Sequence, residues 1–212
     1  MRRPRAMIAD DHKMLADALR GILEPRCEVV GIVANGRELL RSAVKLQPDL
    51  IILDIAMPEL NGLDAARQLR NTMPKVKLIF MTMNEDPYLA AEALRAGASA
   101  FLHKQGAAFE LTDAVEQVLR GKTYITRSAA QALDKISLEA PGSRNQIPEP
   151  TARQREVIQL LAEGHSMKEV ASALKITKRT VAAHKYAVME QLQLKTNAEL
   201  VQYAIRNHII SI

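Results

Sequence analysis

Between residues 6 and 120 the sequence repeats one alternation: a short unbroken apolar run, a polar turn, then apolar residues at helical spacing. The runs are AMIA (6–9), EVVGIVA (28–34), LIIL (50–53), KLIFMT (77–82) and AFLH (100–103). Among the intervening stretches, Leu15, Leu19, Ile22 and Leu23 share one helical face. Leu63, Ala66, Leu69 and Arg70 lie in a second such stretch, and Leu111, Val115, Val118 and Leu119 in a third. A strand that is apolar on both faces must be covered on both faces, and strands joined through helices pair in parallel. The pattern therefore predicts a doubly wound α/β domain around five parallel strands.

In that architecture a ligand sits beyond the carboxyl ends of the strands, where the strand order reverses. The residues just after each run then carry the chemistry. They are Asp10 and Asp11 after the first, Asp54 after the third, Thr82 closing the fourth and Lys104 after the fifth. Any one aspartate there reads equally well as the cap of the following helix. Three acids at two neighbouring strand ends suit a hard divalent cation such as Mg²⁺. With such an ion in place, Asp54 can act as a nucleophile towards phosphorus, because the metal offsets charge repulsion and orients in-line attack. Thr82 then hydrogen-bonds one phosphoryl oxygen and Lys104 pairs with another. The plain alternatives are a threonine that ends a strand and a solvated lysine.

The periodicity divides the chain into a domain at 1–122, a linker at 123–150 and a second domain at 151–212. Within the linker, SAAQALDKI (128–136) predicts a short helix, and APGSRNQIPEP (140–150) has no apolar period. The last third is helical throughout. Thr151 is placed to cap ARQREVIQLLAEG, with Gly164 as its stop, and MKEVASALK follows as a short second helix. Thr177 caps a third helix and NAELVQYAIRN forms a fourth. A short helix, a tight turn and a capped helix bearing Lys178, Arg179 and Lys185 describe a helix-turn-helix. Charge agrees: residues 1–122 hold 17 bases and 16 acids, whereas 151–212 hold nine bases and five acids. The excess positive charge thus sits where an anionic partner is expected.

Cys27 is the single cysteine, which excludes an intrachain disulfide and fits a reducing compartment. The basic start MRRPRAMIADD has an apolar stretch too short for a signal-peptide core, and no run approaches a membrane span. The expectation is a cytoplasmic protein with no membrane partner.

The blocks IADDH, LIILDIAMPELNGL, IFMTMNED and AGASAFLHK resemble the signature blocks of bacterial response-regulator receiver domains. Residues 151–201 resemble the LuxR-type DNA-binding domain, and the whole chain is similar to the NarL/FixJ family of two-component response regulators. The resemblance implies a flavodoxin-like strand order and phosphorylation of Asp54 by a partner sensor histidine kinase. It implies Mg²⁺ held by Asp11, Asp54 and the backbone carbonyl of Ala56, with Asp10 reaching it directly or through water. Phe101 matches an aromatic switch that turns inward as Thr82 moves, or is simply a core aromatic. Pro58 and Gly62 shape the loop beneath the site, glycine through its tolerance of positive φ.

In the second domain the resemblance places the third helix in the major groove of promoter DNA. Lys178, Arg179 and Lys185 are the candidate phosphate contacts, and Ala182, Ala183 and Tyr186 hold groove-facing positions. Thr180 joins the candidate contacts, with helix packing as its alternative. The family often carries lysine where Ala182 stands, a departure that bears on the preferred site. Val201, Ala204 and Ile205 fall on a seam for a homodimer formed when active, Leu200 packing in the core.

The expected activity is control of transcription, with self-phosphorylation from a donor and slow autodephosphorylation as the chain's own chemistry. Phosphatases that use a strand-end aspartate on a similar sheet typically place a second acid two residues later, and that position here is Ala56. A receiver that serves only as a structural dimerisation module is the other rival. The presence of every expected acid, Thr82 and Lys104 weighs against it.

Overall fold

In the computed structural model, which describes residues 2–84, 86–126, 130 and 149–210, each apolar run is a strand. These are β1 (Arg5–Ala9), β2 (Glu28–Val33), β3 (Leu50–Asp54), β4 (Lys77–Thr82) and β5 (Ala100–His103). Between and after them lie α1 (Lys13–Leu23), α2 (Gly36–Leu46), α3 (Gly62–Thr72), α4 (Pro87–Arg95) and α5 (Ala107–Leu119). A sixth strand, β6 (Tyr124–Ile125), pairs with β5 through Ala100–Tyr124 and Phe101–Ile125. All strands pair in parallel, in the order β2-β1-β3-β4-β5-β6. The reversal falls at β1 and β3, so the ends of these two central strands open into one crevice.

The sequence reading ends the sheet at β5 and opens the linker at 123, where the structure has β6. Two residues are too few to show a period, so this edge strand leaves no hydropathy signal. The short helix expected over 128–136 lies outside the described residues, except for Ala130.

Every residue of β3 is buried, as a central strand covered on both faces requires. One face packs Ile8, Leu50, Ile52, Ile79, Met81 and Leu102 against α1 and α5 through Leu19, Leu23, Leu111, Val115 and Val118. Leu119, grouped with that stripe in the sequence, is instead exposed at the end of α5. Two of the helices begin at asparagine caps. Asn35 accepts from the Glu38 N–H at 2.8 Å, and Asn61 from the Asp64 N–H at 2.9 Å.

Residues 149–210 form a separate helical unit of α6 (Ala152–Ala162), α7 (Met167–Leu174), α8 (Lys178–Gln191) and α9 (Asn197–Arg206). Thr151 and Ser166 close reciprocal capping boxes with Gln154 and Glu169, and Thr177 and Thr196 cap the last two helices. Gly164 stops α6 at a positive φ of 92°. Two apolar clusters hold the unit. Val157, Leu160, Val170, Leu174 and Val181 bind α7 to α6 and α8. Ile158, Val188, Met189, Leu200 and Ala204 bind α9 to the same pair.

Candidate functional site

Strand register brings the predicted site residues together. Asp54 ends β3 opposite Met81, and Thr82 ends β4 opposite His103, immediately before Lys104. The Asp10 N–H donates to the Val33 carbonyl at 3.0 Å, which fixes the chain as it leaves β1. Asp10, Asp54, Thr82 and Lys104 are all buried, while Asp11 is partly open to solvent.

Lys104 Nζ lies 2.8 Å from Asp10 Oδ2 and 2.8 Å from Asp54 Oδ2. Among the described residues, neither oxygen has another hydrogen-bond partner. The Ala56 N–H donates to Asp54 Oδ1 at 3.2 Å, and the Asn84 N–H to Thr82 Oγ1 at 3.0 Å. Burial pushes the Asp54 carboxyl up from 3.8 to about 6, against the lowering pull of Lys104. Burial also opposes the charge on Lys104, but Asp54 and Asp10 outweigh it and hold the ammonium above its usual range. Two carboxylates thus share one buried cation.

Asp10, Asp11, His12 and Asp54 each offer a ligand atom, all within 4.8 Å of one another. Their chemistry fits a hard divalent cation: three carboxylates converge and two of their oxygens are engaged only by a lysine. His12 was missed in the sequence although it directly follows the acid pair. Its Nδ1 lies 2.8 Å from Asp11 Oδ1 and 3.3 Å from Asp10 Oδ1, and its backbone N–H donates to Asp10 Oδ1 at 2.9 Å.

Gly62 supports the site for a reason other than positive φ. It opens α3 with ordinary helical backbone, and a Cβ there would meet the Asp54 carbonyl oxygen at 2.1 Å. The position needs close approach, and its N–H donates to the Ile55 carbonyl at 2.9 Å. Phe101 is buried on β5, its ring edge-on to that of His103 with centroids 5.8 Å apart.

In the C-terminal unit α7 ends at Lys175 in the left-handed region, φ 54°, and Thr177 starts α8. Lys178, Arg179, Ala183 and Tyr186 are exposed, and Ala182 is half-buried. Thr180 is half-buried too, its Oγ1 2.8 Å from the capping Thr177 hydroxyl. Lys185, expected as a phosphate contact beside Lys178 and Arg179, differs from those two in being buried. It is 8% exposed, because it follows Val181 by four residues and precedes Val188 by three on the packed face. Its ammonium lies 5.3 Å from the centre of the Tyr186 ring. Of the three residues expected on a dimer seam, Ala204 is fully buried in this unit's core, while Val201 and Ile205 stay half-buried. Ala187 was overlooked and is exposed one turn beyond Ala183.

Residues 6–116 match the response regulator receiver domain, and residues 151–204 match the bacterial regulatory proteins of the luxR family. The oxygen regulatory protein NreC of Staphylococcus carnosus is 32% identical over 97% of this chain and 99% of its own. The chain belongs to the NarL/FixJ family of response regulators. RcsB from Salmonella enterica serovar Typhimurium has been solved bound to a promoter in the presence of the phosphomimetic BeF3⁻. That structure is 27% identical, with a TM-score of 0.62 over 95% of this chain and 98% of that one. A second structure, of two RcsB dimers bound to two parallel DNAs, is 26% identical, with a TM-score of 0.60 over 95% of this chain and 98% of that one.

For a response regulator, the two halves carry separate tasks: a receiver with a buried acidic crevice and a LuxR-type DNA-binding unit. No described helix is long and apolar enough to cross a membrane.

Proposed function

We propose that this response regulator is a transcription factor whose DNA binding is controlled by Mg²⁺-dependent phosphorylation of Asp54, with a sensor histidine kinase as donor. The observation that carries the reading is the arrangement at the strand ends, where Lys104 Nζ bridges Asp54 and Asp10 at 2.8 Å beside buried Thr82. Asp54 and Asp11 would hold the metal, with Asp10 and the Ala56 carbonyl completing the protein ligands. Bound Mg²⁺ supplies positive charge that offsets repulsion between a carboxylate and an incoming phosphoryl group.

In the transfer, an Asp54 carboxylate oxygen forms a bond to phosphorus while the phosphorus–nitrogen bond of the donor phosphohistidine breaks. The released imidazole keeps the electron pair and takes up a proton. Lys104 then turns from the two carboxylates to a phosphoryl oxygen, and the Thr82 hydroxyl donates to another. Phe101, packed beside β4, follows Thr82. With Ala56 two residues beyond Asp54, no side-chain acid stands there to activate water, which favours a lasting acyl phosphate over rapid turnover. Lys178 and Arg179 anchor α8 on DNA phosphates, and two copies pairing through a face that includes Val201 and Ile205 bind two half-sites. The RcsB dimers on DNA support that assembly.

Incubating the protein with a small-molecule phosphodonor and Mg²⁺ tests the reading by intact mass. One phosphate should be added, and none to Asp54→Asn or in the presence of a chelator. A wild-type protein left unmodified by donors that label other receivers would overturn it.

A further inference from the structure

We propose that the exposed centre of α8 reads DNA through thymine methyl groups, with Ala183 and Ala187 as the contacting residues and Tyr186 as their aromatic border. This rests on the DNA-binding reading above and names the base chemistry that the helix selects.

The packed side of α8 is Val181, Lys185, Val188 and Met189. Opposite lie Arg179, Ala183, Tyr186, Ala187 and Glu190, all exposed. At 3.6 residues per turn these five form one continuous stripe. Its two ends are charged, Arg179 at the start and Glu190 at the finish. Its centre holds two alanine methyls and a tyrosine that is 59% exposed. Reading guanine or adenine in the major groove takes a bidentate donor or acceptor pair, as from arginine, asparagine or glutamine. Neither alanine has such a group, and a single phenol hydroxyl cannot supply a pair. Thr180 and His184, at the edges of the stripe, are half-buried, and Thr180 is engaged with its own cap.

Thymine is the base that presents an apolar group in the major groove, its C5 methyl. A guanine–cytosine pair under the same window carries no methyl, so it offers the alanines no apolar group to pack against. The Lys185 ammonium over the Tyr186 ring steadies the border of the window and adds positive charge beside it. The selection is therefore for thymine methyls where a commoner recognition helix would hydrogen-bond a purine.

The test uses the full-length protein and a pool of randomised duplexes. The duplex recovered by repeated binding is remade with uracil at one thymine at a time, which deletes a single methyl. At thymines facing α8 each replacement should weaken binding about fourfold, the worth of one buried methyl group, without changing the salt slope. Ala183→Gly and Ala187→Gly, checked for folding by thermal melting, should each abolish the uracil penalty at one particular thymine. Uracil replacements that cost nothing anywhere, or penalties that persist unchanged in both glycine variants, would overturn the proposal. A preference for guanine–cytosine pairs beneath the window would overturn it as well. A protein that binds no duplex in a salt-dependent way would instead remove the DNA-binding reading itself.

Discussion

Asp54 is where the single-residue chemistry is most exposed to test. Its carboxyl is raised to about 6 by burial, so ionising it weakens the fold. The sign follows from linkage: the stability is fully present below the unfolded value, and it is lost as pH rises through about 6. An asparagine in its place mimics the neutral carboxyl and cannot ionise. In chelator, Asp54→Asn should therefore be more stable than wild type near neutral pH, by roughly 3 kcal/mol at most. The gap should close below about pH 4, as read by urea unfolding at each pH. A gap that stays constant with pH would contradict the buried-carboxylate account. Lys104→Ala leaves two buried acids facing each other and should cost roughly 3–5 kcal/mol at neutral pH in the same assay. Asp54, Asp10, Asp11, Thr82 and Lys104 were legible in the sequence because each directly follows or closes an apolar run, and strand ends are where such a sheet binds ligands. His12 and the packing of Lys185 were not. The first depends on a side-chain rotamer, and the second on which of several helical faces meets the core.

Elements were readable in proportion to their length. Strands of four or more apolar residues and helices of two or more turns carry a period. The two-residue β6 has none and was absorbed into the linker. Gly62 shows a different limit: its type flagged a backbone requirement, but only the structure distinguishes positive φ from the approach of α3 to the Asp54 carbonyl. Gly62→Ala must push α3 from β3 and should cost about 1–3 kcal/mol in denaturant unfolding, with slower modification by a phosphodonor. At the start of α6, Thr151→Ala removes a hydroxyl that accepts from the Gln154 N–H and one half of a capping box. It should lower stability of the C-terminal unit by about 1 kcal/mol while leaving phosphodonor labelling unchanged.

Across the whole molecule, two sites with different ligands must be coupled for phosphorylation to govern DNA binding. With the proposed Mg²⁺ site formed in the folded receiver alone, the melting temperature should rise with metal concentration. The gain is about 2.7 kcal/mol at a hundredfold excess over the dissociation constant, and Asp11→Asn should blunt it. On the DNA side, Lys178→Ala and Arg179→Ala should each weaken binding on every sequence and reduce the salt slope by about one. Coupling the two requires a population shift, and moving it from 1:99 to 99:1 takes roughly 5.5 kcal/mol of differential stabilisation. The basic C-terminal third and its capped helices were legible from charge and periodicity. Spacing alone did not divide the last helix between core and surface: the same apolar period serves the core at Ala204 and leaves Val201 and Ile205 partly open. The most direct test of that coupling is a titration of one selected duplex with wild-type protein and Asp54→Asn, each with and without phosphodonor and Mg²⁺. Donor and metal together should tighten binding of the wild type and leave Asp54→Asn unchanged. Equal affinity of the phosphorylated and unphosphorylated wild type, or a matching response from Asp54→Asn, would contradict control through Asp54.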